Sequence, residues 1–305
     1  MDVQRLIEDS FYRFAKGSLV AGLTTLLVMT AGCAPTQHQL SLRADRIAQP
    51  SGLMPQTVAT RRFTVMTYAR IENPQQPLRV YLEGEGDKEG DGKAWVSRIS
   101  LNPTPHNPLA LRLAALDTGP NVLYIARPCQ YVTLSDESHC GPQLWSRARY
   151  SPRVVEAIDE VISHYVTQMG SQSGIELVGY SGGGALAVLM AAKRRDVHNL
   201  RTVAANLDTE LFTRLHQVSP MDHSLNPADF SELTSALPQR HFVGEHDTVV
   251  PVAIARSYQQ AMAAPHCVTI EPVMGATHSK GWEALWPSLL NASLSCLPQV
   301  SQSNQ

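Results

Sequence analysis

The sequence has no block of lysine and arginine, and its formal net charge is only -2 over 305 residues. A dense positive face is what a phosphate backbone requires, so nucleic acid is excluded as an expected partner. The sequence's uncharged apolar run near its start, Ser18 to Gly32, has 15 residues, short of the about 20 of a spanning helix, so a permanent transmembrane anchor is the weaker reading. None of its five cysteines forms a C-x-x-C pair, which removes the usual zinc and redox spacings. There is no internal repeat and no low-complexity segment. What is present is 43% hydrophobic content over a length that suits one large α/β domain with a sizeable core.

The first residues read as an export signal. Arg5, Arg13 and Lys16 precede the apolar run, which ends in small residues at Cys33. The ending "TAGC" resembles the lipobox of bacterial lipoproteins, although Thr30 stands where Leu is usual. That resemblance implies a signal peptide over residues 1–32, an acylated Cys33, attachment to the membrane through this lipid and, with Ala34 next, the periplasmic face of the outer membrane. Setting Cys33 aside leaves Cys129, Cys140, Cys267 and Cys296, an even number suited to an oxidising compartment. Four cysteines allow three pairings; Cys129 with Cys140 and Cys267 with Cys296 are the neighbours in sequence.

One stretch resists a simple reading. "LEGEGDKEGDGKAW", residues 82–95, is crowded with acids and glycines. Read as an EF-hand from Asp87, it places Arg98 where a bidentate Glu is needed. Read as a phosphate loop, it follows Gly92-Lys93 with Ala94 instead of Ser or Thr. Neither metal nor nucleotide is expected here, and no cofactor elsewhere.

Residues 33–60 are polar, with scattered Pro and Gly and no sustained period, and read as a lipidated N-terminus and tether. From residue 61 the chain alternates. Strand patterns cover 61–70, 78–84, 121–127, 174–180, 200–206, 240–244 and 267–273. Helical patterns lie between them, the clearest being "SPRVVEAIDEVISHYVTQM", with Ser151 as cap and Pro152 in the first turn. Others are "PLALRLAALD", "GGALAVLMAAKRR", "PVAIARSYQQAMAA" and "GWEALWPSLLNASL". The expectation is a domain over 61–298, a mainly parallel central sheet with helices on both faces, followed by a tail at 299–305. Residues 207–239 exceed what a connection needs and read as a small cap insertion.

Within this pattern "ELVGYSGGGALAVLMAAK" places Gly179, Ser181 and Gly183 as G-x-S-x-G where an apolar strand stops and an apolar helix starts. That is the context of a nucleophile elbow, whose sharp turn needs neighbours without a Cβ. A serine hydroxyl needs a base, and the base an orienting acid. Asp247 in "HFVGEHDTVVP" and His278 in "VMGATHSKGW" fall just past later strand patterns, in the order Ser181, Asp247, His278. Asp208, after an earlier strand, is the competing acid. Gly182 offers one oxyanion N–H, and the loop after the 78–84 strand should offer the other. Two copies of an acidic Gly motif compete there, "EGEGD" with Glu85 and "EGDG" with Asp91; strand continuity favours Gly84 and Glu85. Carboxylates would oppose a forming oxyanion, so the acidic side chains should face solvent or Lys88 and Lys93.

From about Arg62 to Cys296 the chain resembles the α/β-hydrolases, and more narrowly a poorly characterised group of exported proteobacterial ones. "EGDGKAW", "NPTPHNPLALRLAALD", "VLYIARPCQY", "RYSPRVVEAI", "GYSGGGALA", "NLDTELFTRLH" and "SLNP" carry the likeness. It implies an α/β-hydrolase fold and a serine esterase (EC 3.1) but names no substrate; the small cap and its apolar neighbourhood suit a small or medium acyl group. A peptidase, thioesterase or acyltransferase would use the same triad. The alternative from another class is a catalytically silent, lipid-anchored binding protein on the same scaffold.

Overall fold

The computed structural model describes residues 35–86, 99–135, 137–170 and 173–296. The signal peptide, Cys33, the second acidic copy with Asp91, Lys88, Lys93 and the tail at 299–305 lie outside them.

Eight strands form one sheet: β1 (Met54–Ala59), β2 (Thr64–Ile71), β3 (Leu78–Leu82), β4 (Asn121–Ile125), β5 (Ile175–Tyr180), β6 (Val197–Val203), β7 (Gln239–Gly244) and β8 (Val268–Val273). Their spatial order is β1-β2-β4-β3-β5-β6-β7-β8. β2 runs antiparallel to both β1 and β4, and every other pairing is parallel. Parallel strands need long crossovers, which here carry helices: α2 (Leu109–Ala115), α3 (Pro152–Met169), α4 (Gly182–Lys193), α5 (Thr209–His216) and α6 (Val252–Gln260); α1 (Gln37–Ala48) precedes the first strand and α7 (Trp286–Leu290) follows the last.

The pleat divides the strands between two cores. Leu78, Val80 and Leu82 of β3 pack with Val154, Ile158, Val161 and Ile162 of α3, with α4, and with Ile254 and Tyr258 of α6. Tyr81, pointing the other way, packs with Leu109 and Leu113 of α2 and with Trp286 of α7. Burying such a side chain stabilises the fold by about 1.5–3 kcal/mol, which explains why strands covered on both faces read as unbroken apolar runs. Ser151 stands at the N-cap of α3, but only its backbone carbonyl accepts, from the N–H groups of Val154 and Val155; its hydroxyl makes no capping bond.

The tether reading of 33–60 is corrected. The folded unit begins at Gln37, with α1 and then β1 on the sheet edge. Leu40, Ala44 and Ala48 recur every four residues and are buried. Two of the three are alanines, so the stripe carries little hydrophobic signal, yet their small size admits close helix packing. Polar contacts finish the docking: Gln37 Oε1 accepts from Asn102 Nδ2 at 2.9 Å, and Asp45 accepts from the Tyr68 hydroxyl at 2.8 Å. β1 escaped notice because five of its six residues are exposed, as an edge strand allows.

The excursion at 207–239 holds α5 and two 3₁₀ turns, Pro227–Phe230 and Glu232–Thr234, with Phe212 and Met221 buried in the first core. No helix of the described residues is long and apolar enough to cross a membrane.

Candidate active site

Parallel pairing aligns the carboxyl ends of β3, β5, β6, β7 and β8 at one sheet edge, and the site is assembled there. β5 ends at Tyr180 and α4 starts at Gly182, leaving Ser181 in a turn with φ 51° and ψ -120°. This positive-φ conformation is costly for a residue with a side chain and persists only where surroundings enforce it. Enforcement comes from the Ser181 N–H donating to Val203 O at 2.9 Å and the Ser181 carbonyl accepting from Gly184 N at 3.0 Å. It also comes from the glycines: a Cβ on Gly179 would stand 2.4 Å from Gly183 O, and one on Gly183 would stand 2.0 Å from Leu82 O.

Ser181 Oγ lies 3.1 Å from His278 Nε2, and His278 Nδ1 lies 3.0 Å from Asp247 Oδ2. The other Asp247 oxygen accepts from the N–H groups of Val249 and Val250, both at 2.8 Å, and the carboxylate is fully buried. Asp247 is therefore fixed by backbone donors and can orient only one tautomer of the imidazole, with Nδ1 protonated. The competing acid is placed elsewhere. Asp208 caps α5, accepting from Glu210 N and Leu211 N, and takes a further bond from Ser257 Oγ.

What holds His278 had no signal in the sequence pattern. Trp282, fully buried, donates its indole N–H to Thr277 O at 2.9 Å and His278 O at 3.2 Å. This use of Trp282 also explains why α7 begins only at Trp286, inside the longer helical pattern of 281–294.

The expected placement of the acidic loop is corrected. Glu83 and Glu85 both turn inward. Glu83 is buried and accepts from Gly84 N at 3.0 Å and from the Tyr124 hydroxyl at 3.2 Å. Glu85 Oε2 accepts from Gly182 N at 3.1 Å and sits 3.5 Å from Ser181 Oγ. Its Oε1 accepts from the Tyr150 hydroxyl and lies 3.3 Å from Arg149 Nη1. Burial raises the Glu85 pKa, but the charges of Arg149 and Arg127, the Tyr150 hydroxyl and its own backbone N–H outweigh it, and the carboxyl titrates at about 2. A carboxylate is tolerated beside the serine because two guanidinium groups neutralise it there.

Those partners lie within motifs of the family resemblance: "VLYIARPCQY" contains Arg127 and Gln130, and "RYSPRVVEAI" contains Arg149 and Tyr150. Arg127 donates to Arg149 O and lies 5.4 Å from the Tyr150 ring centre. Gln130 Nε2 donates to Gly84 O at 2.9 Å and to Pro103 O at 3.0 Å. The turn bearing Gln130 has Cys129 and Tyr131 at positive φ, 74° and 60°, and the Cys129–Cys140 disulfide pins it. Cys267 and Cys296 form the second disulfide. Among the described residues no cluster of His, Cys, Asp and Glu could hold a metal ion.

No family model matches the sequence, and no curated relative matches it. Solved structures do match. An alpha-beta serine hydrolase homologue from Coxiella burnetii superposes with a TM-score of 0.51 at 16% identity, over 77% of this chain and 92% of that one. Est1E from Butyrivibrio proteoclasticus gives 0.53 at 12% identity, over 77% and 95%. A Pyrococcus furiosus esterase gives 0.51 at 10% identity, over 79% and 90%. With the eight-stranded, mostly parallel sheet, these decide the architecture. The chain has the α/β-hydrolase fold. Within that fold, Ser181, Asp247 and His278 occupy the ends of β5, β7 and β8, where such a sheet gathers its functional groups.

Proposed function

We propose that the protein is a serine hydrolase that cleaves a carboxylic ester or related acyl substrate through an acyl-enzyme. The observation that carries this reading is the hydrogen-bonded line from Ser181 through His278 to Asp247, built on a serine held at φ 51°. Ser181 Oγ attacks the acyl carbonyl as His278 Nε2 takes its proton; the imidazolium is stabilised by Asp247 and then gives the proton to the leaving alkoxide. Water repeats the sequence on the acyl-enzyme and frees Ser181. No step calls for a cofactor. Residues 207–239 form a small cap that favours small or medium acyl groups. Cys33, lipidated, ties the enzyme to the periplasmic face of the outer membrane.

A panel of 4-nitrophenyl esters of increasing acyl length, assayed on the chain from Ala34 onward, tests the reading. Turnover that disappears in Ser181→Ala supports it. Wild-type protein that is folded and oxidised yet neither turns over an ester nor takes a fluorophosphonate label would sink it. One observation favours the second reading, a catalytically silent binding protein: the Gly182 N–H expected to serve an oxyanion donates to Glu85 instead.

A further inference from the structure

We propose that the Glu85 carboxylate is an internal ligand of the oxyanion hole, so that the described arrangement is a closed resting state and reaction requires an acyl oxygen to displace it. The inference rests on the reading of Ser181 as nucleophile and deepens it.

Two N–H groups expected to stabilise an oxyanion are already engaged. Gly182 N donates to Glu85 Oε2, and Gly84 N donates to Glu83 Oε1. Glu85 Oε2 also stands 3.5 Å from Ser181 Oγ. The serine hydroxyl has one proton and two acceptors, His278 and Glu85, and only donation to His278 leads to attack. An oxyanion formed beside a fixed carboxylate would meet a like charge in a site shielded from water, where such repulsion is strongest.

The first glycine of "YSGGG", Gly182, records the same contact. Gly179 and Gly183 are small because backbone surrounds them, but Gly182 is different. The three atoms nearest to a Cβ there all belong to the Glu85 carboxyl, Oε1 at 2.2 Å, Cδ at 2.3 Å and Oε2 at 2.4 Å. The absent side chain is the space that the carboxylate fills. Anchorage comes from the opposite side, where Oε1 is held by Arg149 and Tyr150 with side-chain exposures of 8% for both Arg149 and Glu85. Displacement therefore exchanges the Oε2 contacts while Oε1 keeps its cation. Protonation is no alternative route, because the guanidinium groups keep the carboxyl ionised down to about pH 2.

The test is the second-order rate of Ser181 phosphorylation by diethyl 4-nitrophenyl phosphate, a neutral triester whose P=O oxygen must enter the oxyanion hole. In the step the Oγ–P bond forms and the bond from P to the aryl oxygen breaks. Nitrophenolate leaves with the electron pair, and His278 takes the serine proton. Glu85→Gln keeps the side-chain shape and removes the charge. Gly182→Ala keeps Glu85 and its cation but pushes Oε2 away with a Cβ. Since one oxyanion donor is worth about 10²–10³ in rate, Glu85→Gln is expected to react at least about tenfold faster than wild type, and Gly182→Ala to change in the same direction. A purely structural Glu85 would move the rate the other way when altered. If both variants unfold cooperatively like wild type and label at its rate or slower, the proposal is overturned while the hydrolase reading stands. If wild type and both variants are all inert, that reading falls and the proposal with it. A variant that labels where wild type does not supports the proposal in its strongest form.

Discussion

Trp282 donates its indole N–H to the carbonyl oxygen of His278, 3.2 Å away, and to that of Thr277, 2.9 Å away, so a fully buried aromatic sets the backbone from which the imidazole projects. Trp282→Phe would retain most of the packing and lose both bonds. We expect kcat for ester hydrolysis to fall by about ten- to a hundredfold with KM little changed, since misplacing a reacting group by an ångström costs about 10². Steady-state kinetics at matched thermal stability would check this; an unchanged kcat would remove Trp282 from the positioning of His278.

The two candidate acids make opposite predictions. Asp247→Asn should present the wrong imidazole tautomer and lower kcat by about 10⁴. Asp208→Ala removes the cap of α5 and the bond from Ser257; it should cost about 1–2 kcal/mol of stability and leave kcat within a few-fold of wild type. Denaturant unfolding and ester kinetics on both variants decide the matter. Greater activity loss in the Asp208 variant would reverse the assignment.

Removing the Cys129–Cys140 bond by a double Cys→Ser change should cost about 2–4 kcal/mol. Activity should also fall at temperatures where the protein remains folded, because the bonded turn carries Gln130, which donates to the Gly84 and Pro103 carbonyls, and Gly84 packs against Ser181. A loss of stability with kcat intact would show that the turn keeps its shape without the bond.

His241 predicts the acid response of the fold. It is fully buried, its Nδ1 is 2.8 Å from Thr202 Oγ1, and its Nε2 has no partner among the described residues. Burial lowers its pKa from 6.5 to about 3. A depressed histidine means that the unfolded chain binds the proton first. The contribution is therefore complete above about pH 6.5 and is lost progressively as pH falls toward about 3. Urea unfolding across that range should show wild type weakening more steeply than His241→Gln. Equal slopes would reassign the effect.

Gly183 packs directly against the Leu82 carbonyl, and a Cβ there would stand 2.0 Å from that oxygen. Gly183→Ala must shift backbone between β3 and α4, and it should leave little soluble, folded protein. Circular dichroism and thermal melting of the purified variant would test this, and a variant melting within a few degrees of wild type would show that the elbow can relax.

Much of this protein was legible in the sequence because its signals are local. Apolar and β-branched runs located seven of the eight strands; the signal is clearest for central strands such as β3, β4 and β5, which are covered on both faces. The G-x-S-x-G spacing located Ser181 because a sharp turn excludes a Cβ wherever it occurs, and the strand-end positions of Asp247 and His278 followed from chain order. What only the tertiary structure decided is which side chains meet. α1 and β1 were hidden because alanines and an exposed edge carry little hydrophobic contrast until a partner surface is present. Glu85 was expected to avoid Ser181 because a lone carboxylate there is unfavourable. Its actual place depends on Arg127, Arg149 and Tyr150, separated from it by more than forty residues in the chain. Charge compensation is a sum over neighbours in space, and linear sequence does not contain that sum.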